Sequence, residues 1–229
     1  MGLNATFDDD PEGYERLRRC WLNTRREMFI SWWLRQLRLA DGASVMEIGS
    51  GTGWLLRNLS REFPSFRFVG LEPIGEYVDF ATARNSSSNL RFVRGTAKEA
   101  RQCVRGSFEA FLSNDVLHHV ESIEGTVRSV SAIAAPGCRW LAIEPNPLNP
   151  YVFCNQAFKT GERNFAPRTF LRTCGTHRWK PLDRRYLFAI PPFVKEAPQW
   201  MKSWERRMEG YALIGGGICL DLSFPKGTA

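Results

Sequence analysis

The sequence is poor in the residues that build metal sites and covalent staples. Its 229 residues include three histidines (His118, His119, His177) and six cysteines, none of them in a Cys-x-x-Cys pair. The thiols are scattered at Cys20, Cys103, Cys138, Cys154, Cys174 and Cys219. Such spacing gives neither a zinc ribbon nor a disulfide framework, so a reduced, cytoplasmic protein without a metal is expected. No stretch approaches the roughly 20 consecutive apolar residues that cross a bilayer. The first ten residues lack both a basic start and an apolar run, which argues against a secretory leader. The Asn-x-Ser/Thr triplets at Asn4 and Asn85 therefore read as ordinary asparagines, and the Met1-Gly2 start followed by Thr6 as a chance match to a myristoylation signal. Internal repeats and low-complexity stretches are missing too.

What is present suits one large α/β domain. The apolar share of 43% is enough for a sizeable core, and the length fits one such domain better than two small ones. The net charge is +7, carried in short clusters such as Arg16, Arg18 and Arg19, or Arg25 and Arg26. Short clusters read as a solvated basic surface in preference to a nucleic-acid or membrane tract. Glu12 to Leu37 has helical apolar spacing, with Asn23-Thr24 as the expected break because Thr favours helix N-caps. Strand patterns follow at 44–48, 67–71, 90–93, 110–113 and 139–143, separated by helical patterns at 54–62, 75–85, 97–102 and 123–134. This alternation implies a parallel sheet with helices on both faces. The tail adds a strand near 182–190, a helix near 199–211 and a final strand near 218–224.

The first strand runs into Glu47-Ile48-Gly49-Ser50-Gly51-Thr52-Gly53. In an open parallel sheet, ligands bind beyond the carboxyl ends of the strands, and glycines there let the backbone approach them closely. A dinucleotide turn needs its third glycine at the position that Trp54 occupies. A carboxylate at Glu47 repels a pyrophosphate and attracts a cation, which favours a sulfonium cofactor. Glu72 ends the second strand about 25 residues on, where an acidic side chain accepts both ribose hydroxyls of an adenosine.

With those residues in place, the segment from Ser44 to Glu144 resembles the class I, Rossmann-like S-adenosylmethionine-dependent methyltransferases, and is similar to their small-molecule, UbiE-like subset. The likeness runs through the glycine turn, Glu72, Ser113-Asn114-Asp115-Val116-Leu117-His118-His119-Val120 and Ala135-Pro136-Gly137. It implies a three-layer sandwich around a mostly parallel seven-stranded sheet whose last strand is antiparallel. Residues 1–40 are then an N-terminal helical cap, and 41–229 a methyltransferase domain with an inserted acceptor-side segment near 145–178. It also implies that Glu47, Gly49, Ser50, Gly51 and Gly53 cradle the methionine end of S-adenosylmethionine. Glu72 takes the ribose and Pro73 with Ile74 the adenine, while Asn114 reaches the methionine end. Thr96, next to Ala97, stands where the family usually places an acidic residue for the adenine amino group.

Methyl transfer from a sulfonium depends mainly on alignment, with a base needed for a hydroxyl acceptor. His118 and His119 follow the fourth strand and titrate near neutrality, but adjacent helical residues point about 100° apart. Only one can face the site, and His119 is preferred. Asn146, Asn149 and Tyr151, with Tyr14 from the start of the chain, are the candidate acceptor contacts. Phe153, Phe158, Phe165, Phe170, Trp32 and Trp33 are candidates for an apolar wall. The fourth strand lacks the Pro-Pro-aromatic turn that grips a nucleobase amine, and no RNA-binding module is recognisable. A small-molecule acceptor (a sugar, lipid-linked glycan or natural product) is thus expected, methylated on oxygen. An RNA or protein methyltransferase and a non-catalytic binding subunit are the alternatives, and the oligomeric state stays open.

Overall fold

The computed structural model describes residues 10–156 and 163–226. The myristoylation-like start, the Asn4 triplet and Phe158 lie outside the described residues. Seven strands form one sheet: β1 (Ser44–Ile48), β2 (Arg67–Glu72), β3 (Leu90–Arg94), β4 (Phe108–Asn114), β5 (Ala134–Pro145), β6 (Lys180–Leu187) and β7 (Gly217–Ser223). Their order across the sheet is β3-β2-β1-β4-β5-β7-β6. β7 is antiparallel to both neighbours, and the other four pairings, all among β1 to β5, are parallel. This is the Rossmann-like sandwich that the family resemblance implied, with the parallel core expected from the strand–helix alternation.

The helices are α1 (Pro11–Arg18), α2 (Trp21–Leu37), α3 (Trp54–Glu62), α4 (Gly75–Ala83), α5 (Ala100–Cys103), α6 (Ile123–Ser131), α7 (Pro150–Cys154), α8 (Pro167–Thr176) and α9 (Gln199–Met208). A 3-10 turn at Ala97–Glu99 precedes α5. Each strand feeds two cores because its side chains alternate between faces. Met46, Phe111, Trp140 and Ala142 belong to one apolar cluster with Val127, Phe170 and Trp179. Val45, Ala110, Leu141 and Ile143 belong to the other, with Trp33, Leu56 and Leu59. Phe165, Phe170 and Trp33 are therefore core, and Trp32 and Phe153 stand exposed, so none of these walls an acceptor pocket.

The break between α1 and α2 lies at Arg19-Cys20, earlier than Asn23-Thr24. Both predicted breakers bond backwards instead. The Asn23 amide donates to the Arg18 carbonyl at 2.7 Å, and the Thr24 hydroxyl to the Cys20 carbonyl at 3.2 Å. A short polar side chain in the first turn can close either side of a helix boundary, and spacing does not reveal which.

α2 is fixed to the far side of the sheet. Its Trp33 indole donates to Asp221 of β7 at 2.9 Å, and Asp221 also accepts from Arg139 of β5 at 3.1 Å. Trp140 and Trp179 are the bulkiest members of the opposite core, both fully buried, and the Trp140 indole N–H donates to Ser113 at 3.1 Å. Trp140→Ala should cost about 3–5 kcal/mol through the cavity it leaves. Urea unfolding measures that loss as a lowered midpoint at unchanged slope.

Candidate active site

A cavity of about 570 Å³ opens at the carboxyl ends of β1, β2 and β4. Its floor is the glycine turn after β1. Gly49 has φ +70° and lies so close to the following β4 loop that a Cβ would sit 2.3 Å from the Val116 side chain. Gly51, at φ +53°, lies beneath the Tyr14 ring, to which a Cβ would come within 3.6 Å. Both positions demand glycine, the first for space and backbone alike. Gly53 does not line the cavity. Its φ is +74° and its missing side chain makes room for Phe92 and Ala81, so its role is to start α3.

Two carboxylates face this floor. Glu72 is held at both oxygens, accepting from the Gly51 amide at 2.8 Å and the Ile74 amide at 3.1 Å. Each oxygen retains a lone pair for a further donor. Burial holds its pKa above the ordinary carboxylate value, with the two amides pulling the other way. Glu47 is buried, and its Oε2 has no hydrogen-bond partner. Burial lifts its pKa to about 8, opposed by the Arg18 guanidinium and reinforced by Glu72. Asn114 Oδ1 and Ser50 Oγ are likewise buried without partners, and both residues line the cavity. Unmatched polar atoms inside a protein cost free energy, so a wall carrying several of them is built for a polar ligand. The unmatched acceptors at Glu47 and Asn114 suit an ammonium, and the fixed Glu72 suits a pair of hydroxyls. The residues present therefore fit S-adenosylmethionine.

Comparison with known proteins agrees. The methyltransferase domain family matches residues 45–137. A ubiquinone biosynthesis O-methyltransferase from Methylocella silvestris is 29% identical over 147 residues, covering 62% of this chain and 53% of the relative. The chain thus spans about half of that relative's length. Among solved structures, an S-adenosylmethionine-dependent methyltransferase from Thermotoga maritima superposes with a TM-score of 0.67 at 16% identity, covering 97% of this chain and 99% of the other. The geranyl diphosphate C-methyltransferase of Streptomyces coelicolor, solved with S-adenosylhomocysteine, gives 0.62 at 14% identity over 89% and 80% of the two chains. Residues 45–137 thus match a methyltransferase domain, and the chain is similar to S-adenosylmethionine-dependent methyltransferases over its whole fold.

The remaining expected cofactor residues Pro73, Thr96 and Ala97 line the same cavity. Thr96 closes a capping box with Glu99, whose carboxylate accepts from the Thr96 amide at 3.1 Å and from its hydroxyl. The two histidines part company. His119 is in the cavity wall, whereas the His118 side chain is only 2% exposed and does not reach it. His118 Nδ1 lies 2.7 Å from Glu144, a fully buried carboxylate at the end of β5. That carboxylate also accepts from the amides of Val116 and Leu117 at 3.0 and 2.8 Å, and so fixes the turn that carries His119.

Three of the four expected acceptor contacts lie elsewhere. Asn146 is fully buried, its amide donating to the carbonyls of Ala212 and Gly215 at 2.6 and 2.7 Å. Asn149 caps α7 and donates to Ile214 at 2.8 Å. Tyr151 is half exposed on α7, outside the cavity lining. These asparagines seam two loops together because an amide turned inward must find partners, and the backbone carbonyls of 212–215 supply them. Only Tyr14 lines the cavity.

Arg18, Asn23, Arg26 and Asp115 also line it, and sequence spacing did not single them out. Asp115 follows β4 in the left-handed region at φ +57° and is gripped by both Arg26 terminal nitrogens, with Arg18 at 3.5 Å. Burial raises its pKa, but the two guanidiniums outweigh burial and leave it lowered. The adjacency of Asp115 to Asn114 was the one available signal; nothing local showed that arginines from two helices turn inward.

The raised pKa of Glu47 has a measurable sign. Between about 4.5 and about 8 the folded chain keeps a proton that the unfolded chain has released, so the ligand-free protein should lose stability as pH rises through that window. Glu47→Gln should flatten the slope in urea unfolding, and an unchanged slope would rule out Glu47 as its source. Calorimetry should show S-adenosylhomocysteine binding more tightly as pH rises towards 8, because its ammonium is met by an ionised Glu47.

Proposed function

We propose that this methyltransferase methylates a hydroxyl oxygen of a small-molecule acceptor, with His119 taking the hydroxyl proton. The observation that carries the reading is the placing of the histidine pair: one imidazole lines the cavity beside Asp115 and Val116, and its neighbour is tied behind it to Glu144. S-Adenosylmethionine supplies a methyl group on a sulfonium that leaves readily once an oxygen is aligned. The chain's own contribution is then position and proton removal.

Each end of the cofactor has its holder. Glu47 and Asn114 would meet the ammonium, the glycine-turn backbone the methionine chain, and Glu72 the ribose hydroxyls. Tyr14 covers Gly51 from above and excludes water from the methionine end. His119 extends from a turn closed by its own amide donating to the Val116 carbonyl at 3.0 Å. Neutral imidazole accepts a proton near physiological pH, which suits a phenolic or other activated hydroxyl. The O-methyltransferase name of the Methylocella silvestris relative supports oxygen as the acceptor atom.

The test is a pair of substitutions assayed by release of S-adenosylhomocysteine against a panel of hydroxylated acceptors. His119→Ala should lower kcat by roughly 10²–10⁴-fold, the range for a lost general base, while leaving S-adenosylhomocysteine affinity unchanged. His118→Ala should act mainly through stability. Equal activity of His119→Ala and the parent would refute the base role.

A further inference from the structure

Large apolar side chains are exposed very unevenly over this molecule. Twelve stand exposed among the described residues, and eight of them fall in two stretches, 148–153 and 193–213. Scattered exposure of this kind is ordinary, but concentration into one region marks an interaction surface. The two stretches form one face. The Asn146 amide binds the carbonyls of Ala212 and Gly215, Asn149 binds Ile214, and the Tyr151 and Phe193 rings meet edge-on with centroids 6.4 Å apart. The loop before α9 is tied to the centre of that helix by the Ile190 amide, which donates to Glu205 at 3.1 Å.

α9 shows what this face is made for. Trp200 and Trp204 are one helical turn apart and 68% and 42% exposed, on the same side as Arg207. Arg206 and Arg207 are exposed, as is Lys195 in the preceding loop. The helix has one carboxylate, Glu205, and it is buried, accepting from Trp21 and pairing with Arg25 of α2. The outward charges of α9 are therefore all positive and interleaved with indoles. Tyr211 and Leu213 continue the apolar surface past its end, 60% and 67% exposed.

We infer that this face docks on an anionic lipid surface, α9 lying in the interface with its tryptophans in the headgroup layer. Indole and phenol rings favour that layer because one edge is apolar and the other hydrogen-bonds, and arginines meet the lipid phosphates. Exposed leucine and phenylalanine among the cations favour lipid over nucleic acid, whose bases stack on aromatics and whose backbone needs only charge. Docking is peripheral, since no helix among the described residues is long and apolar enough to cross a membrane. The face abuts the start of α2, whose Asn23 and Arg26 line the cofactor cavity, so the bilayer would lie beside the cavity wall.

Co-sedimentation of the whole chain with vesicles tests this directly. Vesicles containing about one-third phosphatidylglycerol in phosphatidylcholine should pellet the protein, pure phosphatidylcholine should retain little, and raising salt from about 0.1 to about 0.5 M should release it. Arg206→Gln with Arg207→Gln should weaken binding by roughly thirtyfold, and Trp200→Ala with Trp204→Ala by about tenfold or more. Both double variants should keep the parent's melting temperature and its S-adenosylhomocysteine affinity, which separates loss of docking from loss of fold or cofactor binding. A parent protein that stays in the supernatant with both vesicle types overturns the inference. So does retention of an RNA oligonucleotide in place of vesicles, or burial of the tryptophans in a concentration-dependent dimer.

Discussion

A single buried carboxylate organises the chain that follows β4. Glu144 ends β5 with no exposure to solvent, and its two oxygens collect the amides of Val116 and Leu117 and the imidazole of His118. A carboxylate buried in that position is tolerable only because hydrogen-bonding groups surround it. Their convergence shapes the chain after β4: Asn114 and Asp115 at the cavity, Val116 against Gly49, His119 in the wall and His118 behind it. The floor and the wall are thus mutually dependent. Gly49 can have no side chain because Val116 occupies the space, and Val116 is there because Glu144 holds its amide.

A second set of charges holds α1 against this frame. Glu15 of α1 pairs with Arg57 of α3 at 2.7 Å, both buried, and Arg57 donates in turn to the Thr52 carbonyl in the glycine turn. Glu12 reaches Arg84 after α4 at 2.6 Å, and Arg18 reaches Asp115. Leu17, by contrast, is 78% exposed, so α1 is attached by charge more than by apolar burial. A buried ion pair adds little net stability over an apolar substitute, but losing one partner is costly, which makes such pairs good at fixing orientation.

The sheet and the cavity lining at its strand ends were legible because their signals are local. β1 and α3 begin and end where alternation and the glycine turn place them, and Glu47, Glu72 and Asn114 sit at strand ends whatever the rest of the chain does. The features that escaped are set by partners distant in sequence. Whether His118 or His119 faces the cavity depends on Glu144, 26 residues beyond the first of them. Arg18 and Arg26 look like surface cations until two helices fold back across the sheet, and Asn146 looks like a ligand contact until Ala212 and Gly215 come beside it. Polar residues carry no label for which of several partners they will meet.

The seam made by Asn146 and Asn149 divides the protein into regions with unequal freedom to change. Contacts to the donor are rooted in strand termini, where a shift of one residue would reverse every side chain of the strand. The segments bearing the exposed aromatics are held instead by the Asn146 and Asn149 amides, the α7 cap and the contacts of buried Glu205, several of them to backbone groups that every residue type provides. Their outward side chains can therefore drift without disturbing the sheet, so long as those inward residues persist. Related chains sharing one methyl donor could diverge in what they approach and where they settle through this margin alone.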